Sequence, residues 1–124
     1  MKTLLASLLL AAATLLPGFA AESAAPLRHV VLFQYKAAAT PAQVKEVDDA
    51  FRALAGKIEV IKGLEAGLNN SPEGLNQGFT HVYVVSFANE ADRDVYLKHP
   101  KHMEFVGLLK PVLEKACVVD FFPK

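Results

Sequence analysis

The 124-residue chain has a single cysteine, no tryptophan and no net charge, its 13 basic side chains matching 13 acidic ones. One thiol, Cys117, makes no internal disulfide, so packing alone must hold the fold, and the residue is expected as a small buried hydrophobe in the last strand. Balanced charge leaves no electrostatic footprint for nucleic acid or an anionic membrane surface. Neither a Gly-rich phosphate loop nor a Gly-x-Ser-x-Gly elbow occurs, which removes the common nucleotide and serine-nucleophile motifs. Long apolar runs are absent after residue 20. The one before it, residues 4–16, is too short to cross a bilayer comfortably. Lys2 precedes that run, Pro17-Gly18 breaks it, and Gly18-Phe19-Ala20 places small residues where a signal peptidase reads. Residues 1–20 are therefore expected to be a signal peptide, and 21–26 a disordered leader. Cleavage after Ala20 leaves 124 − 20 = 104 residues, a one-domain length, with export to the periplasm or medium and no membrane anchor.

What is present is a regular alternation of elements. Residues 27–35 are rich in Val, Leu, Phe and Tyr and read as a strand. Thr40 caps a helix, with Pro41 at its first position and Gln43 able to close a capping box. Val44, Val47, Phe51, Leu54 and Ile58 follow at spacings of three and four, one apolar stripe. A weaker strand at 64–69, a Ser/Pro/Gly/Asn loop at 70–78 and a strong strand at 79–87 come next. Asn89 starts a helix that Pro100 interrupts; a second helical piece, 101–110, stops at Pro111, and 116–122 is the last strand.

The order β-α-β-β-α-β predicts an α+β, ferredoxin-like domain over residues 27–124: a four-stranded antiparallel sheet with helices on one face. Its strands are apolar on both faces. His29, Val31, Phe33 and Tyr35 alternate with Val30 and Leu32, and Tyr83, Val85 and Phe87 with Val82 and Val84. Helices cover one face only, so the other needs a second layer, most simply a second copy related by a two-fold axis.

Four segments carry a resemblance: His29-Val30-Val31-Leu32-Phe33, Gly78-Phe79-Thr80-His81, Tyr96-Leu97-Lys98-His99-Pro100-Lys101-His102 and Val119-Asp120-Phe121. Together they resemble the stress-responsive A/B barrel (Dabb) domain, a dimeric α+β barrel, over nearly all of residues 27–122. Some plant members are polyketide cyclases. The resemblance implies a catalytic pair at Tyr96 and His102, with Phe79 standing where those cyclases have tyrosine, and with Leu113 and Ala116 as smaller wall residues.

The chemistry such a motif supports is proton abstraction beside a carbonyl, with His102 as general base and Tyr96 as hydrogen-bond donor to the oxygen. If the last strand pairs beside the first, Asp120 and His29 come within reach of His102, and the carboxylate would orient its ring. The polar candidates for ligand contact are His29, His81 and Asp120; the apolar ones are Val31, Phe33, Phe51 and Phe105. Each has a structural alternative: His99 and His102 as anchors of a broken helix, Tyr96 as a core aromatic, His81 as a satisfied core histidine. No metal or other cofactor is expected, because Pro100 splits His99 from His102, no acidic cluster joins them, and no haem ligand stands out. Three functions stay open: a small-molecule binding protein for an apolar or carbonyl compound, a cofactor-free cyclase or aldol-type enzyme, and an assembly protein.

Overall fold

The computed structural model describes residues 25–124; the expected signal peptide and most of the leader lie outside the described residues. Strand β1 (Leu27–Tyr35) leads to α1 (Pro41–Ala53), then to β2 (Gly63–Leu68), β3 (His81–Phe87), α2 (Glu90–Lys98), α3 (Pro100–Leu109) and β4 (Leu113–Phe121). The strands form one sheet in the order β2-β3-β1-β4, antiparallel throughout. This is the ferredoxin-like α+β architecture expected from the order of elements. Among the described residues no helix is long and apolar enough to cross a membrane.

Local chemistry explains most boundaries. The Thr40 side chain accepts from the Gln43 backbone N–H, and the Gln43 side chain accepts from the Thr40 N–H, a closed capping box with Pro41 at the first turn. The helix ends earlier than its apolar stripe: α1 stops at Ala53 and tightens into a 3-10 turn over Leu54–Gly56, so Ile58 reaches the core from a turn. Strand β3 begins at His81 rather than residue 79, because Gln77 and Gly78 (φ +53° and +84°) turn the chain and the Phe79 N–H bonds back to the Asn76 carbonyl. Strand β4 begins at Leu113, three residues before the expected start, since its pairing with β1 continues past a register shift to Tyr35. Pro100 separates two helices instead of kinking one. His99 is extended (φ −65°, ψ 137°), ends α2 and caps α3, its Nδ1 accepting from the Lys101 N–H at 3.0 Å.

All three helices lie on one face. Beneath them sit Leu27, Val31, Phe33, Tyr83, Val85 and Phe87 from the sheet and Val47, Phe51, Leu54, Phe105 and Leu109 from the helical layer. The rings of Phe51 and Tyr83 stack at 4.1 Å with a 1° interplanar angle. The opposite face is bare. Val30, Leu32, Val82, Val84 and Cys117 are only half-buried there, and Val119 and Phe121 are 56% and 47% exposed. Cys117 is thus not the fully buried hydrophobe expected, because the alternation of β4 turns it to the face that no helix covers.

Candidate functional site

Between the sheet and the pair α2–α3 lies a cavity of about 410 Å³. Its floor comes from β1 and β4, which the register sets side by side: His29 opposite Asp120, Val31 opposite Val118, Phe33 opposite Ala116. One end is therefore polar, the other apolar with Phe33, Phe51, Phe105 and Leu109. Ala116 and Val118 belong to an edge strand and are exposed, so the cavity opens beside β4.

At the polar end, the buried His29 holds Asp120 through Nδ1 to Oδ1 at 2.7 Å. A carboxylate only accepts, so Nδ1 carries a proton, and in the neutral tautomer this fixes, Nε2 is the lone-pair atom. The second oxygen of Asp120 accepts from Arg93 Nη1 at 3.0 Å. Tyr96 comes from the next turn of α2; it is 1% exposed, and burial alone raises its pKa, so the hydroxyl stays a proton donor. Its ring lies 5.7 Å from the His29 ring and 4.4 Å from that of His102. His102, on the first turn of α3, donates through Nδ1 to the Leu97 carbonyl at 3.1 Å, which leaves Nε2 as the basic atom. Desolvation by burial lowers the His102 pKa, partly opposed by that carbonyl and aided by His29 and His99.

The structure brings together Tyr96, His102, His29, Asp120, Val31, Phe33, Phe51 and Phe105 around one cavity. Two expectations need correction. Asp120 orients His29, its direct partner across the strand pair, and its other oxygen is held by Arg93; His102 is oriented by a backbone carbonyl. His81 stands outside this cavity. Its ring bonds Thr80 Oγ1 at 2.9 Å, packs edge-on against Tyr35 at 5.0 Å, and borders a separate cleft with Asp48 and Arg52. It faces the helices as the alternation of β3 requires, but at the end of β3 that pairs with Phe33, four residues along from His29. Leu113 packs against the core and does not line the cavity, whereas Ala116 does. Arg93 and Leu97 escaped sequence reasoning, although their spacing of three before and one after Tyr96 puts all three on one side of a helix. Among the described residues, no three His, Cys, Asp or Glu side chains are grouped to hold a metal ion.

Burial at the two histidines predicts a pH effect. His81, like His102, titrates below its free value because of desolvation, an effect that Asp48 opposes and Arg52 reinforces. The unfolded chain therefore binds more protons below about pH 6.5. Stability should be complete above that pH and decline as pH falls toward 5. Urea midpoints at pH 7.5 and 5.5 check this; a midpoint that is equal or higher at 5.5 contradicts it.

A ferredoxin-like sheet with one helical layer and a histidine-lined hollow between them defines a small α+β domain of the ferredoxin-like class. The chain belongs to the stress-responsive A/B barrel domain family (Dabb), whose description it matches over residues 27–123. It is 31% identical to the stress-response A/B barrel domain-containing protein HS1 of Arabidopsis thaliana over 102 residues, 82% of this chain and 94% of that one. It is 24% identical to the olivetolic acid cyclase of Cannabis sativa over 98 residues, covering 79% and 97%. Among solved structures, the hydroxynitrile lyase of Passiflora edulis superposes with a TM-score of 0.75 at 25% identity, covering 81% of this chain and 94% of that one. A dimeric ferredoxin-like protein from Thermobifida fusca gives 0.67 at 27% identity, covering 79% and 91%.

Proposed function

We propose that the protein is an exported homodimer whose cavity takes one small, largely apolar, carbonyl-bearing molecule per subunit. The observation that carries this is the polarity gradient of the cavity: polar hydrogen-bonding side chains only where His29, Asp120, Arg93, Tyr96 and His102 converge, and aromatic or aliphatic wall beyond. Export is supported by the composition of residues 1–20. Dimerisation is supported by the uncovered apolar sheet face and by a similar protein described as dimeric.

A second reading adds turnover, and the tautomer of His102 favours it. With Nδ1–H tied to the Leu97 carbonyl, Nε2 can take a proton from a carbon next to the ligand's carbonyl. The electron pair left behind forms an enolate, whose oxygen accepts a hydrogen bond from Tyr96. Two similar proteins bear enzyme names, one a cyclase and one a lyase. The step uses side chains alone. Incubating the protein with β-keto thioesters in deuterated water tests it. Exchange at the α-carbon should fall at least 100-fold in His102→Ala, on the order of what one positioned base contributes. Equal exchange by both forms removes the enzyme reading and leaves binding, read by the ligand's effect on the unfolding midpoint. No stabilisation by any member of the series would remove the binding reading as well.

A further inference from the structure

The polar end of the cavity continues outward as a chain of alternating charge. His29 Nδ1 donates to one oxygen of Asp120 at 2.7 Å, and the other oxygen accepts from Arg93 Nη1 at 3.0 Å. Arg93 Nε and Nη2 both reach a single oxygen of Asp94, each at 3.2 Å. The inner links are sheltered: the Arg93 and Asp120 side chains are each 22% exposed, whereas Asp94 is 57% exposed. The guanidinium thus spends one nitrogen on the half-buried carboxylate and shares its remaining fork with a surface one, in a bifurcated contact weaker than a two-oxygen bidentate pair.

This matters because of what a carboxylate alone would do. An unshared carboxylate 2.7 Å from an imidazole stabilises the doubly protonated ring, and Nε2 would then donate instead of accept. A guanidinium on the other oxygen draws off that negative charge. We propose that Arg93 is a positioning residue for His29: by sharing Asp120 it keeps the imidazole neutral, with an Nε2 lone pair available to whatever occupies the cavity. The inference rests on the reading that His29 meets the ligand, and it gives the polar end two accepting nitrogens, those of His29 and His102, flanking the one donating hydroxyl of Tyr96. That complement selects ligands carrying hydroxyl or enolisable protons at two positions over simple monoketones.

The groups facing His29 are few. Strand β4 offers Asp120, helix α2 offers Arg93, Asp94 and Tyr96, helix α3 offers His102 with His99 behind it, and β3 presents only Val85 and Phe87. Alternating charge predicts shifts of alternating sign. In a histidine-ring NMR titration of the full chain, with signals assigned by single His→Gln variants, Arg93→Gln should raise the His29 midpoint by roughly one pH unit. Arg93→Lys, which keeps the charge, should restore it to within about 0.3 unit. Asp94→Asn, at an exposed position that folding tolerates, frees Arg93 for Asp120 and should lower the His29 midpoint by about 0.3 unit. His102 should hold its midpoint in all three. An unmoved His29, or equal movement of His29 and His102, overturns the proposal. If Arg93→Gln does not fold, the sign of the Asp94→Asn shift decides alone, downward at His29 only in support and anything else against. The titration reads the pair with no ligand present, so its failure leaves the proposed function standing, and an inert protein showing the alternating shifts leaves Arg93 in its role.

Discussion

Phe51→Ala is expected to lower the free energy of unfolding by about 3–5 kcal/mol, the range for deleting a buried aromatic ring. Phe51 is 1% exposed. It lies flat on Tyr83 at 4.1 Å, meets Phe105 edge-on at 4.8 Å, and approaches Phe33 at 5.9 Å, so one ring joins α1, α3 and two central strands. Neighbouring rings cannot close the gap easily, because Tyr83 is tied by its hydroxyl to Asp48 at 2.6 Å and Asp48 in turn to Arg52 at 2.9 Å. Domains of this size hold only about 5–15 kcal/mol in total, so the variant should stand near the edge of folding. Urea unfolding at fixed protein concentration measures the loss, with the slope checked for constancy. A loss below about 1.5 kcal/mol would show that the α1 layer docks without this ring. The same ring walls the cavity, so Phe51→Leu, which keeps most of the apolar volume, should cost less stability while lengthening the apolar end.

Much of this architecture was legible in the residues because local and global signals agree. Thr40-Pro41-Ala42-Gln43 sets the start of α1 by capping alone, and the two-residue alternation of 27–35 and 81–87 sets which side chains meet the helices. That Asp120 and His29 come to the same end of the sheet followed once β4 was placed beside β1. What escaped has a common cause: it depends on distances between elements that periodicity does not encode. Asp120 could orient either of two histidines from the sequence; only the height of α3 above the sheet leaves His102 to the Leu97 carbonyl. His81 shares a face with His29, yet four residues of offset along the antiparallel pair carry it past the cavity to Asp48 and Arg52. Arg93 looked like one more charge on a wet helix, and its role appears only when β4 supplies the half-buried carboxylate.

Val84→Lys is expected to leave a folded monomer. Across the bare face, the register lines up Glu65, Val84, Val30 and Val119 in one row, Gly67, Val82, Leu32 and Cys117 in the next, and Gly63, Ser86, Arg28 and Phe121 in a third. The middle of the face, Val30, Leu32, Val82 and Val84, is apolar, and the charges Arg28 and Glu65 sit at its margins, an arrangement of greasy centre and polar rim suited to a self-complementary contact. In a single chain the new lysine would be solvated and would stand opposite Glu65, so the fold should tolerate it. In a face-to-face dimer, two ammonium groups would be forced into the apolar centre. An uncompensated buried charge costs about 3–5 kcal/mol, and at 1.4 kcal/mol per tenfold this raises the dissociation constant on the order of 10³-fold. Native mass spectrometry and sedimentation at micromolar concentration should show a wild-type dimer and a Val84→Lys monomer with the same circular dichroism. A wild-type monomer would remove the dimer from the proposed function. A Val84→Lys dimer would place the contact elsewhere, and the apolar rows of β1, β3 and β4 would then need another partner.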